Sequence, residues 1–410
     1  MTARQPDSQE HGPLSGVRVV DMTTVVMGPY ATQILASLGA DVIKVEPPEG
    51  DITRHGGPMR HPRMGHRFLH LNKGKRSIVL DLKDASGRAA FMRLVEGADV
   101  LIYNLRPQAM ARLNLGFQEV STINPKLIYV GAYGFSQSGP YAPRPAYDDL
   151  IQAMVGLPWL TAKADGGAPR YVPATLFDRI VGLHVVYAVT SALYERTRTS
   201  KGREIEVPMF EAVAEMVLGD HLGGRTFDPP LGESGYERVL APGRGPFRTK
   251  DGYVCVLIYN DKQWANFLRI VDPEGKFSGG SELATHEARA KSPDAVNAFV
   301  AQQMLERTTV NWLSMLSDAD IPVAEVSALN DVIDDPHLRA VGLLSKEEHP
   351  TEGSLLSLGQ SVHWSDYAKS NDRHAPTLGE HSVEVLREIG YADPEIQQLI
   401  ESGVAVARNV

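Results

Sequence analysis

Asp178 stands at the end of "TLFD" and directly before "RIVGLHVVYAVTSALYERT", whose stretch Ile180–Tyr194 is fifteen mostly apolar residues. A carboxylate at such a boundary has two uses. Aspartate is a favoured helix N-cap, because its oxygens accept the first unpaired backbone N–H groups. The same helix end presents a positive dipole, which favours the ionised carboxylate. An ionised carboxylate can also act as a covalent nucleophile, forming an acyl intermediate that divides one hard step into two easier ones. Residue type and position leave both uses open.

Three cations fall within six residues in "NKGKRS" (Asn72–Ser77), and Arg54, Arg106 and Arg112 occur in "DITR", "NLRP" and "MARL". Each follows an apolar run or opens a helical one, so all could share one rim of a sheet. Gathered there, they would attract an anion such as a phosphate; scattered, they would be solvated loop residues. "VVMGPYATQ" joins the first apolar run to a helical pattern, the place where α/β folds bind ligands. It holds one glycine and is no G-x-G-x-x-G fingerprint, so a plain strand–helix turn accounts for it equally. "GAYGFSQSG" is not the G-x-S-x-G elbow of a serine hydrolase. The histidines show no H-E-x-x-H and no paired metal spacing, so no metal is expected. His184, on the apolar run after Asp178, reads as core.

The elements that must position these groups alternate. "VRVVDM", "DVIKVE", "SIVLDL", "DVLIYNL" and "KLIYVGAYGF" are short apolar runs, separated by helical patterns such as "GPYATQILASLGA" and "ASGRAAFMRLVEGA". Repeated β-α-β units predict a doubly wound parallel sheet with helices on both faces. From about Gly219 a Gly- and Pro-rich stretch leads to "YVCVLIYN" and an α+β segment ending near Val326. The spacing therefore predicts a large domain over residues 1–218 and a small domain at 219–326, followed by 327–410 as a linker and a C-terminal part.

The chain has 410 residues, 43% hydrophobic and 22% charged, with a net charge of −9. That is an ordinary globular composition, and the negative charge argues against nucleic acid as a partner. The single cysteine, Cys255, excludes an intrachain disulfide and suits a reducing cytoplasm. It sits in "GYVCVLIY", which reads as a buried strand. The N-terminal "MTARQPDSQEHGPLSG" has no apolar core of a signal peptide. The run after Asp178 falls short of the ~20 apolar residues a membrane span needs, so no membrane partner is expected.

In chain order, "GVRVVDMTTVVMGPYATQILASLGADVIKVE", "LNKGKRSIVLDL", "ADVLIYNLRPQAMARLNLGF", "GAYGFSQSGPYAPRPAYDDLIQAMVGL", "TLFDRIVGLHVV", "DGYVCVLI" and "APTLGEHSVEVLREIGY" resemble the family III CoA-transferases, the formyl-CoA transferase and carnitine CoA-transferase (CaiB/BaiF) family. The resemblance runs from Gly16 to about Tyr391. It implies a Rossmann-like large domain to which the C-terminal part of 327–410 also belongs, a smaller domain between its halves, and two chains threaded as an interlocked homodimer. It implies that Asp178 is the nucleophile, passing through a mixed anhydride and an aspartyl-CoA thioester. Coenzyme A and acyl-CoA would be substrates, together with a small carboxylic acid, with no permanently bound cofactor.

The resemblance also carries over CoA contacts: Val25 and Met27 after the first strand, Asn72 and Lys75 in "NKGKRS", Asn104 and Leu105, Arg112, and Arg144. Leu105 replaces a family phenylalanine, and Pro47 stands where some members place a CoA-contacting arginine. The tetraglycine loop of formyl-CoA transferase is missing, with "LAPGRGPF" in that region, which puts formate and oxalate specificity in doubt. Methylacyl-CoA racemases share the fold but carry a histidine where this chain has Tyr147, in "PAYDD". With an ordinary pKa of ~10, tyrosine is a poor proton-transfer base beside a histidine at ~6.5. Transfer is therefore favoured over racemisation, and a non-catalytic CoA-binding protein, with Asp178 only a cap, is the remaining alternative.

Overall fold

Five strands follow the apolar runs: Arg18–Met22 (β1), Asp41–Glu46 (β2), Arg76–Leu80 (β3), Val100–Tyr103 (β4) and Ile128–Tyr133 (β5); a sixth, Arg203–Pro208 (β6), follows the long helix. They come from a computed structural model that describes residues 12–274, 283, 285–365 and 373–407. All six run parallel in the order β3-β2-β1-β4-β5-β6, and Ala405–Val406 adds an antiparallel strand beside β3. β1 to β5 are buried almost throughout, as strands covered on both faces must be, whereas β6 at the edge exposes Arg203 and Glu204.

Between the strands lie helices Met27–Ser37 (α1), His66–Leu71 (α2), Ala85–Glu96 (α3), Pro107–Arg112 (α4), Phe117–Ile123 (α5) and Asp148–Met154 (α6). Phe91, Leu94, Val120, Val385 and Leu386 join Val20, Ile43, Ile78 and Leu101 in one buried core. Leu157–Asp165 (α7) precedes the long helix Leu176–Thr199 (α8). At 24 residues, α8 is longer than the fifteen-residue apolar stretch read from sequence. By length and composition it alone among the helices of the described residues could cross a membrane. Phe177, Val181, Val185 and Val189, four residues apart, form its buried row.

The chain divides into two compact units. The first comprises the residues up to Val155, Pro173–Glu215, and Arg339 onwards; the second comprises Gly156–Val172 and Met216–Leu338. Residues 156–172, expected in the large domain, thus group with the second unit. Their helix α7 is bounded by Gly156 and Gly166, both in the left-handed region, and packs against Glu237–Leu240 of that same unit.

The second unit holds a three-stranded antiparallel sheet, Phe247–Arg248 (β7), Tyr253–Val256 (β8) and Val323–Glu325 (β9), over a core of Trp264, Phe267, Met304, Trp312 and Leu316. Cys255 corrects the buried-strand reading. β8 alternates, with Val254 and Val256 inward and Tyr253 and Cys255 exposed. An antiparallel sheet needs only one covered face, so period-two burial replaces the continuous burial of a parallel strand.

In the first unit, Leu344–His349 (β10) and Gly353–Leu358 (β11) form a hairpin. Helices Ser382–Glu388 and Asp393–Glu401 follow in the same unit.

Candidate active site

The strand order reverses between β1 and β4, so the loops leaving their carboxyl ends diverge and leave a crevice. A cleft of the first unit opens there. It is open to solvent and is lined by Thr24–Met27 after β1, Asn104 and Arg106 after β4, Tyr133–Phe135 at the end of β5, Met209 after β6, and Asp178. Arg144, Pro145, Ala146 and Tyr147 complete the wall.

Two glycines let α1 and α8 bring Asp178 to this rim. A Cβ on Gly182, one turn beyond Asp178, would lie 2.9 Å from the Met27 carbonyl oxygen. One on Gly28 would lie 2.3 Å from Thr23. Both distances are below any tolerable carbon contact, so the start of α1 can approach α8 and the β1 loop only where no side chain intervenes.

Asp178 is not the cap of its helix. Thr175 holds the N-cap position without a side-chain bond, and Asp178 is the third residue of α8. The capping group comes from α6. One Asp148 oxygen accepts the N–H groups of Phe177 at 2.7 Å and Asp178 at 3.0 Å, and the other accepts from Gln152 Nε2 at 2.6 Å. A carboxylate borrowed from another helix satisfies the orphan donors and leaves Asp178 free. Among the described residues, no hydrogen bond or ion pair engages the Asp178 oxygens.

The expectation that the helix dipole keeps Asp178 ionised is also corrected. Burial pushes its carboxyl up to about 7, the negative charge of Asp148 adds to the rise, and Arg179 opposes it. Asp178 therefore titrates close to neutrality.

The β1 loop is held from beneath. Asp21 accepts from the Thr23 N–H and hydroxyl, from Thr32 Oγ1 at 2.6 Å, and from Lys75 Nζ at 3.0 Å. Lys75 also donates to the Pro29 carbonyl and to Asn72 Oδ1. Lys44 Nζ donates to the Thr23 carbonyl at 2.7 Å and to Asp51 at 3.0 Å. This clamp holds Val25 at φ 70°, a left-handed conformation that a β-branched residue rarely adopts.

The cleft thus gathers Val25, Met27, Asn104, Arg144 and Asp178, five of the residues singled out in the sequence. Asn104 spends its amide on the loop itself, accepting from Thr24 N–H at 2.9 Å and donating to the Thr24 carbonyl at 2.8 Å. The Arg144 guanidinium lies 4.2 Å over the Tyr141 ring. Leu105 packs against the core, and exposed Arg112 bonds back to the Gln108 carbonyl; neither lines the cleft. Asn72 and Lys75 are fully buried behind it, in the clamp.

The shared rim of cations dissolves in the same way. Arg54 is fully buried in a two-point bond to Glu46, with both distances 2.7 Å. Arg76 pairs with Asp41, Glu384 and Glu388, and Lys73 with Glu347. Arg106, with Arg144, is left to face the cleft. His184 is half-buried and bonded to the Ile180 carbonyl, and no histidine lines the cleft. Among the described residues no cluster of His, Cys, Asp and Glu has the makings of a metal site.

Asp148 and the β5 segment Tyr133–Phe135 went unmarked in the sequence. "GAYGF" follows an apolar run, so the rule that ligands bind at strand carboxyl ends could have found it. No local signal could have paired Asp148 with a helix start 29 residues later.

Known proteins resemble this chain over most of its length. The family model described as CoA-transferase family III matches residues 14–382. The chain is 30% identical to a human succinyl-CoA:glutarate CoA-transferase, over 98% of this chain and 91% of that one. It is 33% identical to an acetyl-CoA:oxalate CoA-transferase of Acetobacter aceti, over 96% and 100%. It is 31% identical to a formyl-CoA:oxalate CoA-transferase of Rhodopseudomonas palustris, over 95% and 96%. Among solved structures, a CaiB/BaiF family protein from Brucella suis superposes with a TM-score of 0.79 at 31% identity, covering 93% of this chain and 100% of that one. With the matched model spanning nearly the whole chain, this protein belongs to CoA-transferase family III, and it is an enzyme of that family.

Proposed function

We propose that this enzyme moves CoA from an acyl-CoA to a short carboxylic acid through covalent intermediates on Asp178. The carrying observation is a carboxylate without cap bonds or ion pairs on the rim of the switch-point cleft.

The ionised Asp178 oxygen attacks the donor thioester carbonyl. The C–S bond breaks, and the electron pair leaves with the CoA thiolate, giving a mixed anhydride. The thiolate then attacks the aspartyl carbonyl and expels the donor acid as its carboxylate, leaving an aspartyl-CoA thioester. An acceptor carboxylate attacks that thioester, releases thiolate and forms a second mixed anhydride. The thiolate takes the acyl group from it, which regenerates the Asp178 carboxylate. No net proton, electron or oxidant is consumed. Splitting acyl transfer into thioester–anhydride exchanges keeps each step close to balanced.

The cleft suits a long anionic thioester. Arg106 and Arg144 can meet phosphates, and Val25, Met27, Phe135 and Met209 offer apolar wall to the uncharged arm. The relatives are named for succinyl-CoA, glutarate and oxalate, which supports a short dicarboxylic acid as acceptor here. Leu183, Tyr187 and Tyr194 stand exposed along α8, which supports the homodimer implied by the family resemblance.

Asp178→Ala should abolish transfer while CoA still binds, because the arginines of the cleft remain. Hydroxylamine added after mixing wild-type enzyme with acyl-CoA should leave a hydroxamate at Asp178, detectable by peptide mass. Undiminished transfer by the alanine variant would sink the assignment. Racemisation would instead appear as deuterium entering the α-carbon without an acceptor acid.

A further inference from the structure

Most cations close to the β1 loop are already engaged. Lys44, Lys75 and Arg54 are fully buried in ion pairs, and Arg106 and Arg144 face the cleft assigned to CoA. Arg179 differs. It directly follows Asp178, is exposed, and has no carboxylate partner among the described residues. A helix turns about 100° per residue, so Arg179 projects to a different side of α8 from Asp178. Its guanidinium carbon lies 4.7 Å from the centre of the Tyr30 ring on α1. Stacking on that face orients the guanidinium plane and leaves its N–H fork for a planar anion.

The surroundings fit an anion of one charge. Arg179 acts on the carboxyl of Asp178 on one side and on the imidazole of His70 on the other. His70 borders a second cleft, lined also by His66, Lys73, Glu347 and His349. Lys73 is bound by Glu347 and Ser357, so its charge is answered. Burial first, then His66 and Arg179, hold His70 below its usual range, so it is neutral at pH 7. The side of Asp178 away from the CoA cleft therefore presents one guanidinium with an unused fork.

We propose that Arg179 is the specificity-determining residue of the acceptor subsite, binding the distal carboxylate of a short dicarboxylic acid whose other carboxylate reacts at Asp178. This rests on the assignment of Asp178 as the acyl-accepting group. A monocarboxylic acid of equal length offers Arg179 only a methyl group. That end loses the paired hydrogen bonds and strips water from the guanidinium without return.

The test compares glutarate with valerate, acids of equal chain length, as acceptors for wild type, Arg179→Leu and Arg179→Lys. It is run at pH 9, where Asp178 is ionised even without the opposing arginine. The quantity read is the ratio of kcat/KM for glutarate to that for valerate. If valerate turns over too slowly, competition by each acid against hydroxylamine trapping gives the same ratio. The proposal expects the ratio to fall at least tenfold in Arg179→Leu, with a partial return in Arg179→Lys, whose ammonium supplies charge but no fork. A ratio within twofold of wild type in Arg179→Leu overturns it, as does an equal loss with both acids. Trapping at Asp178 with acetyl-CoA and no acceptor is the separate control. If no adduct forms in wild type, the nucleophile assignment fails and this inference with it. If the adduct forms and the ratio holds, Arg179 alone is refuted.

Discussion

Two groups of carboxylates lie within one unit and behave oppositely. Beneath the β1 loop, Asp21, Glu46 and Asp51 are buried, and burial alone would raise all three. Lys75 and Lys44 beside Asp21, Arg54 beside Glu46, and Lys44 beside Asp51 reverse that, holding each below the ordinary carboxylate range. At the start of α8, burial pushes Asp178 up to about 7, Asp148 adds to the rise, and Arg179 only partly compensates. Burial, then, raises the carboxylates of both groups; paired cations overcome it beneath the loop, and nothing overcomes it at Asp178. The paired group builds a rigid loop, and the unpaired one keeps a reactive oxygen.

Breaking the paired side should have the largest effect on stability. Asp21→Ala removes the acceptor of the Thr23 N–H and hydroxyl, one acceptor of Thr32 and the paired carboxylate of the Lys75 ammonium at once, so unfolding in urea should show a loss of about 3–5 kcal/mol. Burial pulls Lys75 down to about 8, so its ammonium still carries charge at neutral pH and is left without its counterion. A loss under ~1 kcal/mol would show that the clamp is not what holds the loop.

The unpaired side should respond with the opposite sign. Asp178 has a folded value of about 7 against 3.8 unfolded, so the folded state binds the extra proton between those limits. Its ionisation therefore costs stability progressively as pH rises from about 4 to 7, and the full cost remains above. Asp178→Asn should stabilise the protein by about 1–3 kcal/mol at pH 8, and the gain should shrink as pH falls towards 4. The depressed carboxylates of the clamp contribute stability that is present above their unfolded values and lost as pH falls through their folded ones. Thermal unfolding across pH 4–8 separates the two behaviours. A pH-independent difference for Asp178→Asn contradicts the raised carboxyl.

The smallest effect is the finest probe. The rate of transfer should rise with pH along a limb centred near 7, as Asp178 becomes the nucleophilic anion. Asp148→Asn keeps an oxygen that can accept from the α8 N–H groups but removes the charge. It should move the limb down by up to about one unit, equal to ~1.4 kcal/mol of coupling. An unmoved limb would assign the whole shift to burial.

Much of the sheet was legible in advance. β1 to β5 fall on the five apolar runs, because strands covered on both faces must be apolar at nearly every position. Cys255 failed by the same rule, applied to an antiparallel strand with one open face. Local composition could not foresee that residues 156–172 leave the first unit, since that depends on what α7 packs against. At the site, the loop after β1 was legible from its position after a strand, and Val25, Met27, Asn104 and Arg144 from the family resemblance. Lys75 and Arg54 were misjudged because a cation in a loop and a cation in a buried pair look alike in sequence. Their partners Asp21 and Glu46 lie 54 and 8 residues away.

Sequence alone determined the alternation of strands and helices, the likeness to CoA-transferase family III and the place of Asp178 at the start of a long helix, because those rest on periodicity and on an ordered series of motifs. Tertiary structure decided what Asp178 is free to do. Asp148, 30 residues earlier, takes over the capping of α8 and raises the Asp178 carboxyl by its charge, while Arg179 draws it back. Charges act through space and hydrogen bonds need atoms to meet, and only the packed chain fixes those separations.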